Sequence, residues 1–333
     1  MVRIALVGTG WHGQGHLQTM KNIDSIDVVG ICDLNKVMLY KAANKFKVTP
    51  FEDYIRMLEE TKPDGVIIVT PASERVGLVQ IAATRGIHCF IEKPPAKNIK
   101  TADKVNQILA DNEVMSSVGF MYRYSKAVEK CKKIISGRKI HMVRSAMLDG
   151  IALRKNWPNW FFDKDKSGGP VLDQAIHIFD LSRYILGEVT TVAGAGDNKV
   201  KAKSDSFSIE DSFSLLLNYG KTGPLQTHHH SWVHDGHICE MEFISHDLRL
   251  TLDIGNGTLS GIVDGEEISY HAKEESLYQL ELEAFSLAIK EGRPDSIKST
   301  YRDSIKSLSV TLAMLDAIEH KEVVNLKNIR KEH

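Results

Sequence analysis

Asp173 and His177 stand four residues apart in a stretch that reads as helix, so both side chains leave one face and converge on one spot. A carboxylate and an imidazole placed this way can hold one hydroxyl. The imidazole takes its proton near neutral pH, and the carboxylate orients both groups. The approach, Ser167-Gly-Gly-Pro170, is a flexible lead into a first helical turn that suits proline. Lys93 sits in Glu92-Lys-Pro-Pro95, directly after a strand pattern over 87–91, and the prolines stiffen that turn. At the carboxyl end of such a strand a lysine can reach a substrate oxygen or a cofactor. A third group binds phosphate. Gly8, Gly10 and Gly13 follow the strand formers Val2, Ile4, Leu6 and Val7 at G-x-G-x-x-G spacing, with Trp11 and His12 between the last two glycines. Gly8 makes the tight turn, Gly10 admits a pyrophosphate, and Gly13 lets the next helix pack closely. That helix points its first N–H groups at the phosphates. Spacing alone leaves plainer readings open: an ordinary strand–helix turn, a surface lysine, and a helix-start aspartate beside an unrelated core histidine.

These groups need a scaffold, and the first 120 residues supply its pattern. A second strand over 26–32 ends at Asp33, 20 residues after Gly13. A carboxylate there accepts from ribose hydroxyls and repels a 2′-phosphate. Leu34 and Asn35 follow it and no arginine does, so NAD is expected over NADP. Helix patterns at 35–46, 51–60, 74–85 and 101–112 alternate with strands at 65–70, 87–91 and 114–119. Repeated βα units of this length imply a doubly wound parallel sheet of the α/β class. After Phe120 the pattern changes. Helices are expected at 126–135 and 171–186, then several strands from Thr190 to His271. Turn signals stand at Asn218-Tyr-Gly220, Asp235-Gly236, Asn256-Gly257 and Asp264-Gly265. Closing helices are expected at 277–291 and 301–320. The expectation is a dinucleotide-binding domain over 1–120 and, over 121–333, a second α/β domain with a large, open, mostly antiparallel sheet. The terminal helices are free to return to the first domain.

Bulk numbers exclude several classes. The 333 residues suit two domains, with 42% hydrophobic and 26% charged residues and a net charge of −1. No nucleic-acid or membrane partner is expected from that balance; basic residues cluster only at 126–139 and 327–331. The four cysteines form no CxxC pair, and Cys32 and Cys89 fall within strands as small hydrophobes. The strand pattern starts at Val2 and no apolar run is long enough to span a bilayer, so no signal peptide is expected and the cytoplasm is the expected compartment.

Taken in order, Gly8-Thr-Gly-Trp-His-Gly13, Asp33, Glu92-Lys-Pro94 and the Gly-Gly-x(3)-Asp173-x(3)-His177 pattern resemble the Gfo/Idh/MocA oxidoreductases. Thr70-Pro71 and Val118-Gly-Phe120 with Arg123 resemble family segments too. The resemblance covers nearly the whole chain and decides for the chemical readings of Lys93, Asp173 and His177. It implies a Rossmann domain followed by a substrate and oligomerisation domain, giving a homodimer or homotetramer through the second sheet. NAD would be held by the glycine loop, Asp33, Thr70, Pro71, Glu92 and Lys93. The trio Lys93, Asp173 and His177 would oxidise a secondary alcohol of a sugar, polyol or inositol-like substrate. The alternatives on this scaffold are glycoside cleavage through transiently reduced NAD, and a non-enzymatic NAD-sensing regulator, which would need no proton relay. Departures concern the substrate: Ala72 and Arg75 replace an Asn and a His of many relatives, and Met121-Tyr122 replace Asn-Arg.

Substrate contacts are expected from Arg123, from Trp157 and Trp160 in the aromatic segment 156–162, and from His230. The aromatic rings serve equally to stack on a sugar or to pack an interface. His228, His229 and His230, with His234 and His237, invite a metal. Adjacent strand residues point to opposite faces, however, so no metal site is expected.

Overall fold

The computed structural model describes residues 1–154, 157–205, 207–272 and 276–332. β1 (Val2–Val7) is buried at all but one residue, as a strand covered on both faces must be. There follow α1 (Trp11–Met20), β2 (Ile26–Cys32), α2 (Lys36–Phe46), β3 (Pro50–Phe51), α3 (Tyr54–Thr61), β4 (Gly65–Ile68), α4 (Arg75–Ala83), β5 (His88–Ile91), α5 (Ile99–Asp111) and β6 (Ser116–Val118). The six strands make one parallel sheet in the order β3-β2-β1-β4-β5-β6. Strand order reverses between β1 and β4, and ligands of such sheets bind at the carboxyl ends of those strands. The helix expected from Phe51 starts at Tyr54 instead. Asp53 caps it by accepting from the Arg56 N–H, and Phe51 pairs with Cys32 in the sheet.

The chain continues through α6 (Lys126–Ile135), β7 (Met142–Leu148), α7 (Lys164–Ser167) and α8 (Ile176–Leu186), with a π-helical turn over Val171–Ala175 leading into α8. Seven strands follow: β8 (Thr191–Asp197), β9 (Ser212–Asn218), β10 (Leu225–Ser231), β11 (Ile238–Ile244), β12 (Leu248–Asp253), β13 (Thr258–Val263) and β14 (Glu266–His271). α9 (Leu277–Glu291), α10 (Tyr301–His320), β15 (Val324–Asn325) and α11 (Leu326–Glu332) close the chain. The second sheet has nine strands in the order β14-β13-β12-β11-β7-β10-β9-β8-β15. It is antiparallel except where β7 meets β10. The β13–β14 hairpin turns on Asp264 and Gly265, both at positive φ (55° and 83°), as a primed two-residue turn requires. β7 lies mid-sheet, although the sequence reading starts its strands at Thr190. Its parallel partner is reached by a long crossover and not by a hairpin, so no turn signal marks it.

Two compact units result: residues 1–124 with 276–305, and 125–275 with 306–333. α9 thus belongs to the first unit. Its Leu282, Phe285 and Ala288 join Ile4, Leu6, Ile31, Ile67 and Phe90 in one buried cluster. Among the described residues no helix is long and apolar enough to cross a membrane, and all four cysteines are buried free thiols.

Candidate active site

In the first unit the turn after β1 is built for close approach. Gly8 has φ +98°, and a Cβ there would stand 2.8 Å from the Val69 carbonyl. A Cβ on Gly13 would lie 1.9 Å from the Gly8 carbonyl oxygen, so α1 can only start this close with glycine. Gly10 differs: a Cβ would meet nothing within 4 Å, which leaves its face open to a phosphate. Gly10 also precedes the first turn of α1, whose N–H groups carry the partial positive charge of the helix start. Trp11 is 77% exposed beside that turn, edge-on to His12 at 4.8 Å.

Asp33, directly after β2, is tied to this loop. Its Oδ2 accepts from the Thr9 N–H at 2.6 Å and the Thr9 hydroxyl at 2.9 Å, and its Oδ1 from the Asn35 N–H at 2.8 Å. A carboxylate has about four lone-pair sites and three are taken here, so acceptor capacity remains for a ribose hydroxyl. The loop and Asp33 therefore fit the pyrophosphate and ribose of a dinucleotide. Leu34, 94% exposed, and Val37, 79% exposed, add apolar surface that the sequence reading did not single out.

The end of β5 carries a buried polar cluster. Glu92 Oε1 accepts from His16 Nε2 at 2.7 Å, and Oε2 accepts from the Lys93 N–H at 3.0 Å. Burial alone would raise the Glu92 carboxyl. The His16 hydrogen bond and the charges of His16, His12 and Lys93 outweigh it and hold Glu92 far below the usual carboxylate range. Lys93 is half-buried, and its peptide bond to Pro94 is cis. Arg75 is buried and donates to three carbonyls, those of Thr70, Glu92 and Pro94. It thereby binds the Thr70-Pro71 turn after β4 to the Lys93-bearing turn after β5. Burial pulls its guanidinium down to about 10 against the opposing pull of Glu92, so it stays charged at neutral pH. Glu281 of α9 is fully buried with neither carboxyl oxygen hydrogen-bonded; burial and the nearby Glu92 charge push its pKa well up. His16, Arg75 as a clamp and Glu281 are absent from the sequence reading, because the burial and contacts of each are set by residues outside its own stretch of chain. Arg123, expected at the substrate, is 3% exposed; it donates to the Lys298 carbonyl and to Asp303, both at 2.7 Å. That tethers the segment after β6 to Lys298 before α10 and to Asp303 in the first turn of that helix, within the same unit.

In the second unit Gly168 and Gly169, at φ +74° and +65°, lead into the π-helical turn that carries Asp173, and α8 carries His177. π turns inside helices recur at functional sites. Asp173 is half-buried and His177 is 8% exposed. β10 faces this helix with every second residue. Gln226 donates to the Ser182 hydroxyl at 3.0 Å, His228 lies edge-on to Phe179 at 5.0 Å, and Trp232 Nε1 donates to Gln174 Oε1 at 2.5 Å. His228 and His230 point inward, while His229 is exposed beside the Ser214 hydroxyl at 2.9 Å. No group of three or more metal-ligating side chains is assembled among the described residues. Of the aromatic segment, Asn156 lies outside the described residues. Phe161 stacks on Trp232 at 5.1 Å and Phe162 packs with Phe207, so these two rings build core. Trp157 has a buried Nε1 without a hydrogen-bond partner, and Trp160 is 53% exposed.

Comparison with known proteins agrees with both halves. The oxidoreductase family with an NAD-binding Rossmann fold matches residues 2–120, and the GFO/IDH/MocA C-terminal domain matches 130–259. A scyllo-inositol 2-dehydrogenase (NAD(+)) of Bacillus subtilis is 26% identical over 98% of this chain and 96% of its own. A myo-inositol 2-dehydrogenase of Thermotoga maritima is 26% identical over 98% and 99%. A levoglucosan dehydrogenase solved with NADH and levoglucosan shares the fold at a TM-score of 0.86, with 17% identity over 97% of this chain and 98% of that one. The parallel sheet with its glycine loop and the nine-stranded sheet behind the Asp173–His177 helix are thus the two domains of one family, and the chain belongs to the Gfo/Idh/MocA oxidoreductases, NAD-binding enzymes that act on CH–OH groups.

Proposed function

We propose that this enzyme oxidises a secondary alcohol of a sugar, polyol or inositol-like substrate with NAD, or runs the reverse reduction. The observation that carries the reading is the placement of Asp173 and His177 four residues apart in one helical stretch of a chain of this family that also has Lys93 after β5. Bound NAD supplies a hydride acceptor at its nicotinamide C4. His177 takes the proton of the reacting hydroxyl, Lys93 stabilises the alkoxide that develops as the C–H hydride departs, and Asp173 orients hydroxyl and imidazole. The first unit, with Gly8, Gly10, Trp11, His12, Gly13, Asp33, Thr70, Pro71 and Glu92, serves the cofactor. The second presents the substrate, with Trp157 and Trp160 available for ring contact. Met142, Leu216 and Leu225 are exposed apolar side chains on the neighbouring strands β7, β9 and β10, which supports a homodimer or homotetramer through the second sheet. Four buried free thiols suit a reducing compartment, and the cytoplasm is the proposed one.

The test is a panel of sugars, polyols, inositols and sugar acids with NAD or NADP, followed by nicotinamide absorbance. Oxidation of at least one polyhydroxylated member is expected. Bound NAD with silence across the panel would overturn the reading, and cleavage of a glycoside with no net absorbance change would replace it. Asp33→Ser is expected to relax the preference for NAD over NADP, read as the ratio of kcat/KM values. An unchanged ratio would remove Asp33 from ribose recognition.

A further inference from the structure

His230 has no assigned role in the proton chemistry, yet its surroundings are unusual. It is 1% exposed, and neither ring nitrogen has a hydrogen-bond partner. Buried polar atoms in folded proteins are nearly always paired, so a side chain with two such atoms calls for a ligand group or an ordered water. Its ring stacks on Phe213 at 4.7 Å with an interplanar angle of 1°, which fixes its orientation. His228, two residues earlier, leaves only Nε2 unpaired: its Nδ1 meets the Ser145 hydroxyl at 3.0 Å and its ring packs on Phe179.

The register of β10 against the helix locates His230. Gln226 meets Ser182, His228 meets Phe179, and Trp232 meets Gln174. The inward position between His228 and Trp232 therefore falls opposite the helical turn that bears Asp173 and His177, and the Asp173 charge acts on His230. Burial outweighs that charge and lowers His230 to about 3, so the ring is neutral at any working pH. A neutral imidazole offers one donor and one acceptor. A carboxylate offers acceptors only. A hydroxyl, which both donates and accepts, satisfies the two together.

We infer that His230 determines specificity, holding with Asp173 a second substrate hydroxyl that neighbours the one being oxidised. The inference rests on the proposed dehydrogenase reading and narrows its substrate to an alcohol with a hydroxyl on an adjacent carbon. A deoxy analogue would leave the buried imidazole without a partner, and sites built this way reject such analogues strongly.

The experiment compares inositols and hexoses with their monodeoxy analogues as substrates of the wild-type enzyme, His230→Leu and His230→Asn, with NAD affinity of each protein as the check on folding. In the wild type, removal of one particular hydroxyl is expected to lower kcat/KM by about 10²-fold or more, and removal of remote hydroxyls by far less. In His230→Leu that penalty should shrink to roughly tenfold or below, because the parent substrate loses its advantage; His230→Asn, still polar, should restore part of it. Equal tolerance of every monodeoxy analogue by the wild type would overturn the inference, as would an unchanged discrimination profile in His230→Leu. If the leucine variant fails to bind NAD, the wild-type profile and the asparagine variant decide. A wild type that oxidises no parent compound refutes the dehydrogenase reading itself, and this inference with it.

Discussion

His177→Ala should lower kcat by about 10²–10⁴-fold while NAD affinity stays nearly unchanged. The two observables separate because the glycine loop, Asp33 and the Glu92–Lys93 turn lie in the first unit and His177 in the second. A fall in kcat at constant NAD affinity therefore reads loss of proton transfer and not loss of the cofactor site. The residue is 8% exposed, so the variant also leaves a small void in α8; a thermal melt is the control for that. Lys93→Met should produce a fall of the same order by removing the positive charge that meets the developing alkoxide. In the proposed mechanism both residues act on one hydroxyl, so their effects are expected not to add. The double variant is expected to be little worse than the poorer single one, as for groups that act as a unit. Undiminished turnover in His177→Ala would take His177 out of the mechanism, and full additivity would separate the roles of the two residues.

What could be read from the chain follows from the range of the interactions involved. β1, the glycine loop and the end of β2 at Asp33 are local patterns of spacing and apolar periodicity, and the six-stranded parallel sheet realises them. The Asp173–His177 spacing is likewise local, and the π turn keeps both residues within one stretch of helix. Structure set by distant partners was not legible. β7 stands mid-sheet through a parallel pairing that no hairpin announces. His16 meets Glu92 across 76 positions, and Arg123 meets Asp303 across 180, so no window of sequence contains either pair. Arg123 is expected at the substrate from its place in a family-like segment; its hydrogen bonds to Lys298 and Asp303, distant in the chain, cannot be read from that segment. The three adjacent histidines illustrate the intermediate case. Strand alternation predicts that His229 faces away from His228 and His230. Only the stacking on Phe213 and the hydroxyl of Ser145 distinguish the two inward rings.

Arg75→Met should destabilise the protein by about 3 kcal/mol or more, because three carbonyls lose one shared, buried, charged donor. Methionine keeps much of the stem volume, so the loss isolates the guanidinium. Three carbonyls, those of Thr70, Glu92 and Pro94, lose a charged donor together, and each buried carbonyl left unpaired costs about 1–3 kcal/mol before any rearrangement. The Glu92 carboxylate itself would keep His16 and the Lys93 N–H as its hydrogen-bond donors. Arg75→Lys tests geometry against charge. A lysine retains the cation, but its compact ammonium lacks the planar fork that spans two turns at once. The lysine variant should therefore recover part of the stability while the two turns remain less tightly joined. Those turns carry Thr70-Pro71 and Lys93, so the loosened variant should also show a raised KM for NAD, with a smaller change in the KM for the alcohol. Urea midpoints of the three proteins decide the first point and the two KM values the second. An Arg75→Met midpoint equal to that of the wild type would mean that water replaces the guanidinium without cost, and the clamp between β4 and β5 would then be incidental to the cofactor site.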